Sequence, residues 1–345
     1  MRKIFVAVVL AATITAVSVA LFIGGVLPEK TFEVRAHALS TSIKLVLSAT
    51  PFVPSEKLKG EESGAVNILL VGRAGPGWIA GELADSIIVV RIRPSASATF
   101  VSIPRDLLIE SPGAHTFMRI NSLGTLGEQE AKRLGKKDAG TQTGFLRQKV
   151  EEIVGFTIPY AVVVDVEAVE EIVTALGGVQ VQVEKKISDP SFPTPGGGIE
   201  TFELDAGWRT LDGRTSGKYV RTRHDSEGDF GRMKRQQQVI EAAISKAQGL
   251  KMVNDFSKIL ELVVISEEHV AHNFSTRELK RLWELTHDFE PANLRFLALD
   301  RTDLNLLQGQ TINLSGVAAP VLVPRAGMFE YSEIQSQIKR ELERE

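Results

Sequence analysis

Two kinds of apolar pattern alternate along the chain. Short runs at VNILLVG (66–72), SIIVVRI (86–92), TFVSIP (99–104), YAVVVD (160–165), VQVQV (179–183) and LRFLAL (294–299) have the length and β-branched content of strands. Several are apolar at nearly every position, as strands buried on both faces are. Between them, residues 141–154, 166–176, 230–247, 275–288 and 330–343 repeat apolar positions at intervals of three and four, which predicts helices. Gly177-Gly178 closes the second of these. The alternation predicts an α/β fold, a three-layer α/β/α sandwich with a central mixed sheet. SDPSFPTPGGG (188–198) reads as a Pro/Gly loop inside that domain, because strand and helix signals continue on both sides.

The longest apolar run lies ahead of all this. Residues 4–26, IFVAVVLAATITAVSVALFIGGV, carry no charge, and as a helix they extend roughly 34 Å, enough to span a bilayer. Arg2 and Lys3 precede the run, so its orientation places the N-terminus in the cytoplasm and the rest of the chain outside. Ser18-Val19-Ala20 has the form of a signal-peptidase site, but the run exceeds the about 7–15 residues of a signal-peptide core. The reading is therefore an N-terminal transmembrane helix, with residues 1–30 as cytoplasmic tip and uncleaved anchor in the cytoplasmic membrane. Residues 31–64 form a stalk and linker, ending in the aperiodic PFVPSEKLKGEESG (51–64), and 65–345 form one extracytoplasmic domain.

Composition narrows the chemistry. Of 345 residues 43% are apolar and 24% charged, which excludes a disordered chain, and a net charge of -3 gives no general attraction to nucleic acid. The absence of cysteine removes disulfides, thiolate metal sites and cysteine nucleophiles together. Six histidines make no metal-binding spacing, and His269 with His272 reads as a helix surface. GRAGPG (72–77) lacks the order of a P-loop or dinucleotide loop and reads as flexible, and there is no GxSxG nucleophile elbow.

Against that background, residues 209–235 hold eight Lys/Arg and four acids. Arg221 and Arg223 follow a short apolar run, so in extended backbone both side chains face one way. Two guanidiniums about 7 Å apart suit a pyrophosphate clamp, with planar forks donating paired hydrogen bonds. Asp229 stands where a helix N-cap belongs, and Arg232 and Gln236 fall on the same helical stripe. A second candidate is SIPRDLLIESPG (102–113), where Arg105 and Asp106 stand at a strand end. A third is LADSIIVV (83–90), with Asp85 at a strand mouth, a suitable Mg²⁺ ligand because that ion needs few protein carboxylates beside phosphate oxygens. A solvated basic face and a surface ion pair explain the first two segments equally on spacing alone.

Taken in order, NILLVG, ADSIIVV, VSIPRDLLI, RINSLGTLG, VVVDVEAVEEIVTALGGVQVQV, LDAGWRTLDGRTSGKYVRTRH and DFGRMKRQQQ resemble the LytR-CpsA-Psr family of cell-wall glycopolymer transferases over roughly residues 65–330. The resemblance implies an apolar pocket for a polyprenyl tail and a charged mouth for its pyrophosphate. It implies transfer of a glycopolymer from a polyprenyl-pyrophosphate carrier to peptidoglycan through a phosphodiester, aided by Mg²⁺. The matching positions make Asp85 the metal ligand and Arg105, Asp106, Arg221, Arg223, Asp229 and Arg232 catalytic. They assign pyrophosphate binding to Arg105, Arg119, Asn121, Arg221, Arg223, Arg232 and Gln236.

One departure concerns the metal. Where many members carry an acidic turn after the first strand, this chain reads Gly72-Arg73-Ala74, leaving Glu82 as a substitute or Asp85 with water and pyrophosphate alone. Two rival readings stay open: a polyprenyl-pyrophosphate phosphatase, with water as acceptor, and a non-catalytic lipid- or glycan-binding envelope protein.

Overall fold

The computed structural model describes residues 54–344, apart from 95, 115, 225–227, 250–268, 287, 288, 290, 300–303 and 315. The apolar run at 4–26 lies outside the described residues; among those described, no helix is long and apolar enough to cross a membrane. The chain divides into two compact units, Met1–Glu56 with Ser275–Lys280, and Lys57–Phe274 with Arg281–Glu345. The second contains every candidate site residue.

Strands β1 (Val66–Arg73), β2 (Ser86–Arg93), β3 (Ser97–Ile103), β4 (Leu108–Glu110), β5 (Phe117–Arg119), β6 (Tyr160–Asp165) and β7 (Val179–Val183) are followed by β8 (Ile187–Pro193), β9 (Ile199–Leu204) and β10 (Gly207–Leu211). Then come β11 (Val270–His272), β12 (Leu294–Ala298), β13 (Leu307–Leu314) and β14 (Val317–Pro324). The helices are α1 (Ser122–Leu134), α2 (Ala139–Gln142), α3 (Gly144–Val154), α4 (Val166–Ala175), α5 (Gly213–Tyr219), α6 (Asp229–Gln248), α7 (Thr276–Thr286) and α8 (Ser332–Glu343).

The central sheet runs β11-β6-β1-β2-β3-β12 and is mixed: β1 pairs with β6 in parallel and with β2 antiparallel, and β3 pairs antiparallel with β2 and in parallel with β12. Both faces are apolar, which is why the sequence of these strands shows no alternation. One face, carrying Leu69, Val71, Ile87, Val89, Val101 and Val163, packs with Leu123 of α1, Leu146 and Val150 of α3 and Ile334 and Ile338 of α8 in a single core. On the other face α6 is pinned by hydrogen bonds from Ser86 Oγ to Gln236 Oε1 (2.7 Å) and from Gln237 Nε2 to Ser102 Oγ (3.2 Å). A second core joins α4, β7–β10, α5 and Val239 of α6.

Two readings are corrected here. Residues 188–198 are not a loop: most of that stretch belongs to the β8–β9 hairpin, whose two-stranded sheet leaves room for Pro190 and Pro193. The apolar run before Arg221 is the end of helix α5 rather than a strand.

The register brings the site together. Gly72 lies opposite Ser86, and Ile87 opposite Ile103, so the end of β1, the start of β2 and the end of β3 meet at one edge of the sheet. At that edge α1 packs against α2 through Gly127, where a β-carbon would stand 1.8 Å from the Gln142 carbonyl oxygen. Gly127→Ala is therefore expected to cost about 3 kcal/mol, lowering the midpoint of thermal unfolding by roughly 5 °C. An unchanged midpoint would show that the α1–α2 contact gives way easily.

Candidate active site

Four carboxylate- and guanidinium-bearing segments converge at this edge. Asp85 precedes β2, Arg105 and Asp106 follow β3, Arg119 ends β5, and Asp229 and Arg232 open α6. Arg105 is the hub, its Nη1 against Asp85 Oδ1, its Nε 3.2 Å from Asp229 Oδ1 and 4.0 Å from Asp106 Oδ2. Arg119 Nε lies 3.3 Å from Asp106 Oδ1, while its Nη2 donates to the Pro320 carbonyl at 2.7 Å. Arg232, 3% exposed, holds Nη2 2.8 Å from Asp229 Oδ1 and 2.8 Å from the Asp85 carbonyl oxygen.

Burial disfavours charge on Arg105, yet Asp85, Asp229 and Asp106 outweigh it and hold its pKa above the ordinary value. Burial pushes the Asp106 carboxyl above the usual carboxylate range, against the pull of Arg105 and Arg119. For Arg232 burial wins and lowers the pKa. The network is close but loosely aligned: Nε of Arg105, Arg119 and Arg232 and both oxygens of Asp229 are buried without a hydrogen-bond partner. Such donors are available to an incoming anion, which would replace near-contacts by formed bonds.

Among the described residues, no carboxylate lies within ion-pair distance of Arg221 beside this network. Its guanidinium stacks on Trp78, 3.6 Å from the ring centroid, with Phe192 at 5.1 Å, and burial lowers its pKa despite Glu170 and Asp85. Thr222, 2% exposed, bonds Asp189 at 2.7 Å, and the backbone at Arg221 and Thr222 turns to donate to the Lys218 carbonyl rather than running extended. Arg223 is exposed, and among the described residues no contact joins it to the cluster. Gln236 bridges Ser86 and the Val220 carbonyl (3.2 Å), tying α6 to the segment that carries the arginine pair. Asn121 occupies the N-cap position of α1 and is buried; its backbone N–H donates to the Arg105 carbonyl (3.3 Å).

Three local readings shift by small amounts. Gly228, not Asp229, is the N-cap of α6, which makes Asp229 its first residue and places that carboxylate at the positive end of the helix. The GRAGPG loop is not featureless: it leads to Trp78, which sets the Arg221 guanidinium, a role that glycine content concealed. His269 and His272 do not share a helix surface; His272 ends β11, and His269, largely buried, faces Asp165 (3.6 Å) and Glu171 (3.5 Å).

The family model for LytR_cpsA_psr matches residues 35–316. The chain belongs to the LytR_cpsA_psr family. Two relatives are named polyisoprenyl-teichoic acid–peptidoglycan teichoic acid transferase TagU. That of Oceanobacillus iheyensis is 32% identical over 205 residues, 59% of this chain and 58% of the relative. That of Bacillus subtilis is 27% identical over 263 residues, 76% of this chain and 73% of the relative. The match thus spans less than two thirds of the first relative. The crystal structure of B. subtilis TagV gives a TM-score of 0.57 at 22% identity, over 81% of this chain and 97% of that one, so the mixed α/β fold with a central mixed sheet is shared.

The departure from the LytR_cpsA_psr pattern has a structural counterpart. Arg73 does not face Asp85 but pairs with Glu128 of α1 at 2.9 Å, and Glu82 pairs with Lys132 of the same helix. Glu82 is therefore engaged elsewhere. Among the described residues no three carboxylate or imidazole ligands converge at Asp85. A partly exposed Asp85 carboxylate with one oxygen turned to Arg105 fits Mg²⁺ only in the mode where substrate and water complete the shell.

Proposed function

We propose that this protein transfers a glycopolymer from a polyprenyl-pyrophosphate carrier to peptidoglycan; its relatives are named for transfer of teichoic acid from a polyisoprenyl-linked form to peptidoglycan. The supporting observation is the Arg221 guanidinium, held by stacking beside Arg105, Arg119 and Arg232, whose buried Nε atoms form no hydrogen bond. That is a receptor for a diphosphate. Residues 4–26 anchor the protein in the cytoplasmic membrane, N-terminus inside, so that the catalytic domain meets the carrier at the outer face.

In this reading the acceptor sugar hydroxyl attacks the phosphorus that bears the glycan, the bridging P–O bond breaks, and polyprenyl phosphate leaves. Arg105, Arg119, Arg221 and Arg232 bind the diphosphate and offset charge growing on the bridging oxygen, with Arg223 at the rim. Asp106, its carboxyl raised by burial, accepts the hydroxyl proton, and Asp229 orients Arg105 and Arg232. Mg²⁺ at Asp85 would add neutralisation of the phosphoryl oxygens.

The test uses the full chain in detergent with a short polyprenyl-pyrophosphoryl oligosaccharide and peptidoglycan fragments, followed by mass spectrometry. Polyprenyl phosphate together with a glycan–peptidoglycan adduct is the expected product. Chelation is expected to slow transfer at least tenfold, and Asp85→Asn to weaken the Mg²⁺ response. Sugar phosphate formed without peptidoglycan would make the protein a phosphatase, and carrier binding without turnover would make it a non-catalytic envelope module.

A further inference from the structure

The charged groups of the site follow one another by contact: Asp85 meets Arg105, Arg105 lies 4.0 Å from Asp106, and Asp106 lies 3.3 Å from Arg119. At Arg119 a cavity of about 440 Å³ opens between the β4–β5 and β13–β14 hairpins. Its volume is that of ordinary ligand pockets. Arg119 is shared: its guanidinium is held by Asp106 on the cluster side and by the Pro320 carbonyl on the β14 side, and it lines the cavity as well.

The chemistry of the walls is mixed in a particular way. Ser111, Thr116 and Ser122 bring hydroxyls, Phe117 an aromatic ring and Val317 an aliphatic patch, and no described lining residue is acidic. Phe117 is 45% exposed yet fixed, its ring 5.4 Å from that of Phe329. A rigid, half-exposed ring among hydroxyl donors suits an amphipathic ligand with apolar C–H faces and many hydroxyls, that is, a saccharide.

We propose that this cavity binds the glycan strand of the peptidoglycan acceptor, with Phe117 as its stacking platform; this rests on the transferase reading. In-line displacement at phosphorus requires the attacking hydroxyl and the departing polyprenyl phosphate to lie on opposite sides. Arg119 joins the cavity wall to Asp106, so an acceptor hydroxyl delivered from the cavity enters beside the carboxylate that takes its proton. The geometry thus places the acceptor at the Asp106–Arg119 side of the site.

Phe117→Ala and Ser122→Ala, made in the full chain, test this with transfer measured against each substrate separately. Phe117→Ala is expected to raise KM for muramidase-released peptidoglycan glycan fragments about tenfold and Ser122→Ala about threefold, with KM for the polyprenyl-pyrophosphoryl oligosaccharide within twofold of wild type. Unfolding midpoints of both variants check that the fold is kept. An unchanged acceptor KM in a folded Phe117→Ala protein overturns the assignment, and a raised donor KM reassigns the cavity to the donor saccharide. If the wild-type chain shows no transfer at all, the transferase reading fails separately. Titration of the same glycan fragments by calorimetry then decides the cavity: binding lost in Phe117→Ala sustains a glycan site, and binding equal in both proteins, or absent from wild type, overturns it.

Discussion

Arg221→Ala is expected to lower transfer about 10³-fold while leaving the protein folded. The large effect follows from its placement: among the described residues no carboxylate lies within ion-pair distance of Arg221, whose guanidinium is seated on the Trp78 ring while Glu170 and Asp85 act on it only from farther away. The small structural effect has the same cause. Its removal breaks a stacking contact of about 1 kcal/mol and takes from Glu170 a favourable charge but no direct salt bridge. Arg221→Lys separates charge from shape, because an ammonium keeps the charge but loses the planar fork that grips two oxygens at once. An intermediate loss is expected, about tenfold to a hundredfold. Transfer by Arg221→Ala within tenfold of wild type, with the unfolding midpoint unchanged, would remove Arg221 from the diphosphate site.

The physics of burial explains which elements the sequence displayed. VNILLVG, SIIVVRI and YAVVVD are apolar on both faces because helices cover both sides of the sheet, and such runs are legible without any partner. The hairpins were harder. LQGQTINL and VAAPVLVP, now β13 and β14, form a two-stranded sheet of their own and carry Gly309 and Pro320, residues that normally argue against strands. These strands also build one wall of the proposed acceptor cavity, so the cavity was invisible in the sequence along with them.

Site residues divide in the same manner. Local spacing displayed Asp85, Arg105 beside Asp106, the Arg221–Arg223 pair and the Asp229–Arg232–Gln236 stripe, and the family resemblance added Arg119 and Asn121. What neither displayed was the convergence of Asp85, Asp106 and Asp229 on a single guanidinium, since that depends on the antiparallel register of β1, β2 and β3 and on the seating of α6. Trp78 was missed for a related reason. Its partner lies far along the chain, and its own neighbours are glycines, which signal a turn and say nothing of an aromatic ring set over an arginine.

Arg105→Ala is expected to behave differently from Arg221→Ala, destroying both transfer and a good part of stability. Removing this guanidinium leaves Asp85, Asp106 and Asp229 around an empty position, with only Arg119 and Arg232 at their outer sides. Stranding buried charge in this way costs about 3–5 kcal/mol at neutral pH. The cost has a pH signature with a definite sign. Burial already holds Asp106 above the usual carboxylate range, and Arg105 is the first charge pulling it down, so its loss raises the folded-state value further. A group whose folded pKa exceeds its unfolded one stabilises the fold below the unfolded value and loses that contribution as pH rises through the folded one. The deficit of Arg105→Ala relative to wild type should therefore shrink when unfolding is measured at pH 5 rather than pH 7. Arg105→Met restores bulk without charge and should show the same pH trend with a smaller deficit, separating the electrostatic loss from the cavity. Equal deficits at the two pH values would mean that the three carboxylates do not depend on Arg105, and the network would then be held by Arg119 and Arg232 instead.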